Sequence, residues 1–355
     1  MRQRIEKLKE RIRHFQLDAL LITSLANLRY LFGFTGSSAI ALVASDLCFF
    51  VTDRRYINQA KMQVHGAELL FAIQDLFGEL KKIKLKTGMK VGVEAIHLSV
   101  KNYSHLKKTF PEIHWVATER VVERIASLKE PDEVASIRRA ADLCGKIYLD
   151  LLPLIEPGMR ELDISAEISY RCRRNGSERD PFEPIVASGK RSALPHGISS
   201  SKMLEGGDSV ILDFGAVIDG YAADVTRTVV VGESTAQQKE MARIVEAALR
   251  LAESMAKPGI AGKQLDAVVR DFMKQNGYSD FFQHSLGHGL GLEVHGLPRI
   301  GELSEDSLET GNVVALEPGI YVPEVGGVRF EDNYVVHTSG VENLSRFSRE
   351  LVSVG

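Results

Sequence analysis

The stretch "LDFGAVIDGYAADVTRT", residues 212–228, sets two carboxylates inside apolar, strand-like sequence. Asp219-Gly220 has the composition of a two-residue hairpin turn, with β-branched runs on either side. With that pair at the turn centre, residue 224 lies opposite residue 215, and residues 213 and 215 share a face. Asp213 and Asp224 are then diagonal neighbours, roughly 7–8 Å apart at the backbone and within reach of a shared ion. Two carboxylates converging in a core are costly unless a cation neutralises them or one holds a proton. The alternative on this stretch alone is that both aspartates cap turns or pair with Arg227.

Further segments carry the same chemistry. "FFQHSLGHGLGLEVHGLPRI" (281–300) brings His284, His288 and His295 into a glycine-rich run. "VVALEPGIYV" (313–322) ends an apolar strand on Glu317, and "GGVRFEDNYVV" (326–336) holds Glu331 inside another strand-like run. One acid in a strand reads as an edge charge or ion pair; several, each in apolar sequence beside a turn, read as a site. Oxygen-rich donors with one imidazole suit a pair of hard-to-borderline divalent ions such as Mn²⁺, Co²⁺ or Zn²⁺. His288 and His295 have opposite parity, so an uninterrupted strand sends them to opposite faces. A bulge or bend at Gly289 or Gly291 brings both inward, one as ligand and the other bonding nearby groups or substrate. The G-x-G here lacks the spacing and following helix of a phosphate loop. In "IVASGKRSALPHG" (185–197), Pro195 and Gly197 hold His196 in a turn, which matters if that loop faces the carboxylates.

Two domains can position these residues. The first 125 or so residues alternate strand-like segments ("DALLITS", "AIALVAS", "LCFFVTD") with helical ones, an α/β pattern. A long helix then begins near "KEPDEV", with Pro131 in its first turn and Asp132 and Glu133 complementing its dipole. The boundary falls near residues 126–130, giving domains 1–127 and 128–355. Within the second, "EPGMRELDISAEISYRCRRNG" (156–176) aligns without a gap onto "KPGIAGKQLDAVVRDFMKQNG" (257–277). Ile164 and Ile168 match Leu265 and Val269, the spacing of a buried helical stripe. This is the mark of either two similar amphipathic helices or a duplicated helix-plus-strands unit with a cleft between its halves.

Composition narrows the partners. A net charge of −3 with no basic stripe argues against nucleic acid, and no segment reaches the apolar length of a membrane span. The charged start "MRQRIEKLKERIRHF" is unlike a secretory signal. Cys48, Cys144 and Cys172 are scattered, which fits a reducing compartment and neither a disulfide framework nor a thiolate metal site. The expectation is a cytoplasmic protein acting on a small molecule or peptide.

Taken together, these motifs resemble the pita-bread metallopeptidases, in particular the prolidase and aminopeptidase P branch, over nearly the whole chain. "DALLITSLANLRYLFGFTGSSA" and "TDRRYINQA" look like the creatinase-type N-terminal domain, a mixed α/β sheet of ribonuclease-H-like kind. "LDFGAVIDGYAADVTRT", "SLGHGLGLEVH", "LEPGIY" and "GGVRFED" follow in the order of the α+β catalytic domain with pseudo-twofold symmetry. The resemblance implies two divalent ions per chain held by Asp213, Asp224, His288, Glu317 and Glu331, with Asp224 and Glu331 bridging. It implies that Glu317 also moves the water's proton, and that His196 and His295 hold the scissile peptide. Arg299 lies where some prolidases clamp a dipeptide's carboxylate, and Arg329 stands at the GGVR position, either touching substrate or bracing Glu331 or its neighbours. The implied reaction is hydrolysis of the bond before proline in small peptides, by a homodimer. Gly296, Ala223 and Asn333 depart from the family's usual glutamate, serine and threonine or aspartate, and the first bears on substrate-side hydrogen bonding. Other readings are a metal-free creatinase-like amidinohydrolase, a non-catalytic peptide- or protein-binding module, and a two-metal phosphoesterase.

Overall fold

A computed structural model describes residues 2–83 and 85–355, in two units, Met1–Ala126 and Ser127–Gly355. In the first, β1 (Ala19–Ile22), β2 (Ala39–Ala44), β3 (Cys48–Asp53), β4 (Glu68–Ala72), β5 (Lys90–Glu94) and β6 (His114–Thr118) form one sheet ordered β4-β3-β2-β1-β5-β6. The β1–β2 and β2–β3 pairs are antiparallel and the others parallel, a mixed sheet. Around it lie α1 (Arg2–His14), α2 (Leu25–Phe32), α3 (Ile57–Gln63), α4 (Val100–Thr109) and α5 (Glu123–Ala126). The strands β1 and β2 are buried along their whole length, as their unbroken aliphatic sequence requires of strands covered on both faces.

The second unit opens with α6 (Pro131–Leu151), whose first residue is the proline that needs no N–H there. Glu133 accepts from the Glu130 N–H at 2.8 Å and closes the helix start. The repeat read from the sequence becomes a pair of matching helices, α7 (Glu161–Arg174) and α9 (Gly262–Gln275), each preceded by a long helix, α6 or α8 (Ala236–Met255). The residue before each member, Arg160 and Ala261, makes an isolated bridge, to Met203 and Ser307. The duplicated-unit alternative is the one the fold adopts.

Each helix pair covers a sheet. One sheet has the order β17-β9-β8-β7, built from β7 (Ile185–Ser188), β8 (Ser209–Ile218), β9 (Tyr221–Val231) and β17 (Val352–Val354). The other runs β11-β10-β12-β15-β16, from β10 (Gly287–Gly289), β11 (Gly296–Ile300), β12 (Val313–Leu316), β15 (Asp332–His337) and β16 (Gly340–Asn343). A hairpin of β13 (Gly319–Val322) and β14 (Gly326–Arg329) completes the set. Aliphatic side chains of α6, α7, β8 and β9 form one core, and those of α8, α9, β12 and β15 a second. The candidate carboxylates and His288 lie on β8, β9 and β10 and just beyond the ends of β12 and β14, while His196, His284 and His295 lie in loops.

Candidate metal centre

Asp219 and Gly220 both have positive φ, 50° and 88°, as a two-residue hairpin turn of this kind requires. The register set by that turn pairs Gly215 with Asp224 and places Asp213 on the same face, as the alternation predicts. Glu317 sits between β12 and β13. Glu331 differs from expectation: it lies in the break between β14 and β15, where it forms an isolated bridge with Thr226 of β9. That break lets its side chain turn towards β9 while the flanking strands join different sheets.

The histidine segment resolves its parity conflict by reversing direction. β10 and β11 are antiparallel partners with a bulge between His288 and Gly289, and residues 290–295 form the loop between them. The His288 and His295 rings end up 4.5 Å apart, edge to face. Glycine is needed beside His288 because a Cβ at position 287 would stand 2.0 Å from the Ala315 carbonyl oxygen, and one at 289 would stand 1.9 Å from that of Leu297. Gly296, directly across from Gly289, leaves room for a Cβ only 3.3 Å from the Gly289 oxygen.

Five side chains therefore converge. The Nε2 of His288 lies 3.7 Å from Asp224 Oδ2 and 3.8 Å from Glu317 Oε1. Donor atoms of Asp213, Asp224 and Glu331 lie within 4.8 Å of one another, as do those of His288, Glu317 and Glu331. A third such group is Asp224, His288 and His295. Two donors each about 2.1 Å from one ion stand at most about 4.2 Å apart, so the His288 separations leave room for a shared cation. Asp213 Oδ1, Asp224 Oδ1 and Glu331 Oε1 are buried with no hydrogen-bond partner. Buried carboxylate oxygens left bare are strongly disfavoured, and a divalent cation is what this donor set fits.

The electrostatics agree. Burial, reinforced by Glu331 and Asp213, pushes the Asp224 carboxyl well up. Burial with Glu317 and Asp213 does the same to Glu331. Burial raises Glu317 to about 8, with Arg329 partly offsetting it. Burial and the neighbouring His295 lower His288 to about 4, so its ring is neutral near pH 7. Its Nδ1 faces the Gly289 carbonyl at 3.3 Å, and donating there leaves the Nε2 lone pair for the carboxylate cluster.

Around the cluster is a frame that sequence patterning did not reveal. Arg329, buried to 2 % exposure, donates to Asp213 Oδ2, to Thr226 Oγ1 at 3.1 Å, to Tyr321 OH at 2.8 Å and to the Pro195 carbonyl at 3.0 Å. It thus braces Asp213, the neighbour of Glu331, directly. Thr226 Oγ1 donates to Glu331 Oε2 at 2.7 Å. His284 joins through its Nε2, 2.7 Å from Tyr321 OH, and its Nδ1, 2.9 Å from the Ser285 carbonyl. Arg227, offered as a partner for the aspartates, instead pairs with Asp332 at 2.7 Å and reaches the carbonyls of Phe347 and Ser348. Asn333 bonds the backbone N–H and carbonyl of Asp224, tying β15 to β9 at that residue.

The cluster opens into a cavity of about 280 Å³. His196 and His295 line it with His284, and Phe182, Ile185 and Ile198 give it apolar walls. Arg299, across the strand pair from His288, is exposed and is not among the lining residues. Nothing in the periodicity of the "DPFEPI" segment marks Phe182; only the fold brings it here.

The sequence matches two family models. Residues 4–125 match the creatinase/prolidase N-terminal domain, and residues 135–338 match metallopeptidase family M24. The chain belongs to metallopeptidase family M24. This peptidase is 35 % identical over 354 residues to the Xaa-Pro dipeptidase of Pyrococcus furiosus, covering 99 % of this chain and 100 % of that one. It is similar in structure to the Xaa-Pro dipeptidase of Bacillus anthracis, at 36 % identity and a TM-score of 0.95, with 99 % of each chain covered. The X-Pro aminopeptidase of Thermotoga maritima superposes with a TM-score of 0.88 at 35 % identity, over 97 % of this chain and all of that one. The creatinase N-terminal and pita-bread fold expected from the motifs is the fold of the M24 peptidase, and the family is one of divalent-metal enzymes. No described helix of the peptidase is long and apolar enough to cross a membrane.

Proposed function

We propose that the peptidase hydrolyses the peptide bond before proline in short peptides, with two divalent ions held by Asp213, Asp224, His288, Glu317 and Glu331. The observation that carries this reading is the set of bare, buried carboxylate oxygens facing a neutral imidazole at the floor of a cavity. A cavity of about 280 Å³ is near the lower end of the ~300–1,000 Å³ range of small-molecule sites, a size for a few residues of peptide. Such ions supply Lewis acidity and a water of lowered pKa when bound.

The protein's own groups do the rest. Glu317, at the cavity edge with 20 % of its side chain exposed, accepts the proton of the attacking water. As the new C–O bond forms and the C–N bond breaks, the proline nitrogen, which has no hydrogen before cleavage, takes that proton from Glu317. His196 and His295 donate hydrogen bonds to the oxygen that gains charge. Phe182, Ile185 and Ile198 cover the apolar faces of the residues flanking the bond. Arg329, which also lines the cavity, donates to Asp213 and holds that carboxylate in place. Arg299 stands outside this reading of the cavity and is left only a role at its rim.

Mn²⁺ or Co²⁺ is the proposed metal, with Zn²⁺ as the competitor, and a cytoplasmic homodimer with domains 1–127 and 128–355 is the proposed setting. The test is hydrolysis of Ala-Pro, Ala-Pro-Ala and Ala-Ala by protein loaded with each metal, beside metal analysis of the purified chain. Cleavage confined to the proline peptides with about two ions bound is expected. Preferred cleavage of Ala-Ala, or failure on every peptide with every metal, overturns the reading.

A further inference from the structure

The segment from Gly189 to Ser199 carries His196 into the cavity, and both of its ends are held by one carboxylate. Glu161, the first residue of α7, is completely buried. Its Oε1 accepts from the Ser188 N–H at 2.8 Å and the Ser188 hydroxyl at 2.9 Å. Its Oε2 accepts from the Ser200 N–H at 2.9 Å, the Ser200 hydroxyl at 2.7 Å and Arg191 Nε at 3.1 Å. Burial works against this charge, but the serine bonds outweigh it and hold the carboxyl below its usual range. Nearer the tip, Arg329 donates to the Pro195 carbonyl and the Gly327 N–H donates to Ser192 Oγ. His196 itself has an exposed side chain, so its direction is set by the backbone that bears it.

A helix start does not of itself call for such a group. At the equivalent position of the duplicated unit stands Gly262, and α9 begins without any carboxylate there. Glu161 is present only in the half whose following segment bears His196.

We infer that Glu161 is a positioning residue for His196, closing the 189–199 loop so that the imidazole faces the scissile peptide. The inference rests on the role given to His196 above. Displacing a reacting-site group by about 1 Å costs up to about 100-fold in rate, and loss of the clamp acts by such a displacement.

The test is a cycle of Glu161→Gln, His196→Ala and the double variant, measured as kcat/KM on Ala-Pro with metal-loaded protein. Backbone hydrogen exchange of the same proteins is followed without substrate. Glu161→Gln keeps the volume but turns one acceptor into a donor facing N–H and hydroxyl groups. It is expected to lower kcat/KM by about 10- to 100-fold alone and by less than about 3-fold in the His196→Ala background. Residues 189–199 should exchange faster while α6, β8 and β9 keep their protection. An equal loss in both backgrounds, unchanged kcat/KM, or unchanged exchange in the loop overturns the inference and leaves the peptidase reading standing. If His196→Ala alone leaves kcat/KM intact, the role of His196 fails, and the inference with it. Should Glu161→Gln not fold, Ser188→Ala with Ser200→Ala removes two donors, spares the backbone bonds, and is expected to repeat the pattern at smaller amplitude.

Discussion

Replacing Arg329 by methionine isolates the frame from the chemistry. The guanidinium is 2 % exposed and donates to four acceptors: Asp213, Thr226, Tyr321 and the Pro195 carbonyl. Methionine fills much of the volume but leaves the buried Asp213 without its cationic partner and the partly buried Pro195 carbonyl without that donor. Removing one partner of a buried pair costs about 3–5 kcal/mol. For a unit of this size each kcal/mol lowers the melting temperature by about 2–4 °C, so the chelated variant is expected to melt about 6–20 °C below the parent. Metal loading returns a counter-charge to Asp213 and should shrink that gap, since only the neutral bonds to Tyr321, Thr226 and Pro195 are then missing. Arg329→Lys keeps the charge but loses the planar fork, and should fall between the two. The assay is thermal unfolding by circular dichroism, with chelator and with excess Mn²⁺. A loss below about 1 kcal/mol in chelator, or the same loss with and without metal, refutes the claim that Arg329 is there to hold Asp213.

Glu317→Gln should reduce kcat on Ala-Pro by about 10²- to 10⁴-fold while leaving the melting temperature of the chelated protein unchanged or higher, which turnover assays and melts check together. The raised carboxyls of Asp224, Glu331 and Glu317, burial being the first cause in each, hold protons in the folded state that the unfolded chain has released. That stability is present below the ordinary carboxylate range and is lost as pH climbs through about 8, the value for Glu317. Chelated protein should therefore melt lower at about pH 8 than at about pH 5.5, and added Mn²⁺ should restore more at the higher pH; a melt that rises with pH in chelator contradicts this. Gly289→Ala places a Cβ 1.9 Å from the Leu297 carbonyl, so the β10–β11 hairpin must open. Metal affinity measured by calorimetry should fall at least about 10-fold, and unchanged affinity would show that the hairpin tolerates the shift.

Much of the site was legible along the chain because local rules govern it. The Asp219-Gly220 turn sets the β8–β9 register, and strand alternation then puts Asp213 and Asp224 on one face. Glu317 was visible as an acid ending an apolar strand before Pro-Gly. The duplicated helix was readable because the buried stripe and its stop signals repeat at constant offset, and α7 and α9 keep that offset to the residue. Glu331 reads as part of a strand, whereas it occupies the break where the chain passes from β14 to β15; the strand-like residues that resume at Tyr334 hide such a break.

What the amino-acid order determined by itself was the kind of chemistry: turns, alternation and the choice of oxygen and imidazole donors are properties of near neighbours. Only the tertiary structure decided which charges meet. Arg329 reaches Asp213 across 116 residues, whereas Arg227, only 14 residues from Asp213, turns away to Asp332. The same holds for the reversal that brings His295 beside His288, for Tyr321 linking His284 to Arg329, and for Glu161 closing the loop of His196. Contacts of this range depend on how two covered sheets pack their cores, and no periodicity within a segment records what will face it from the other side.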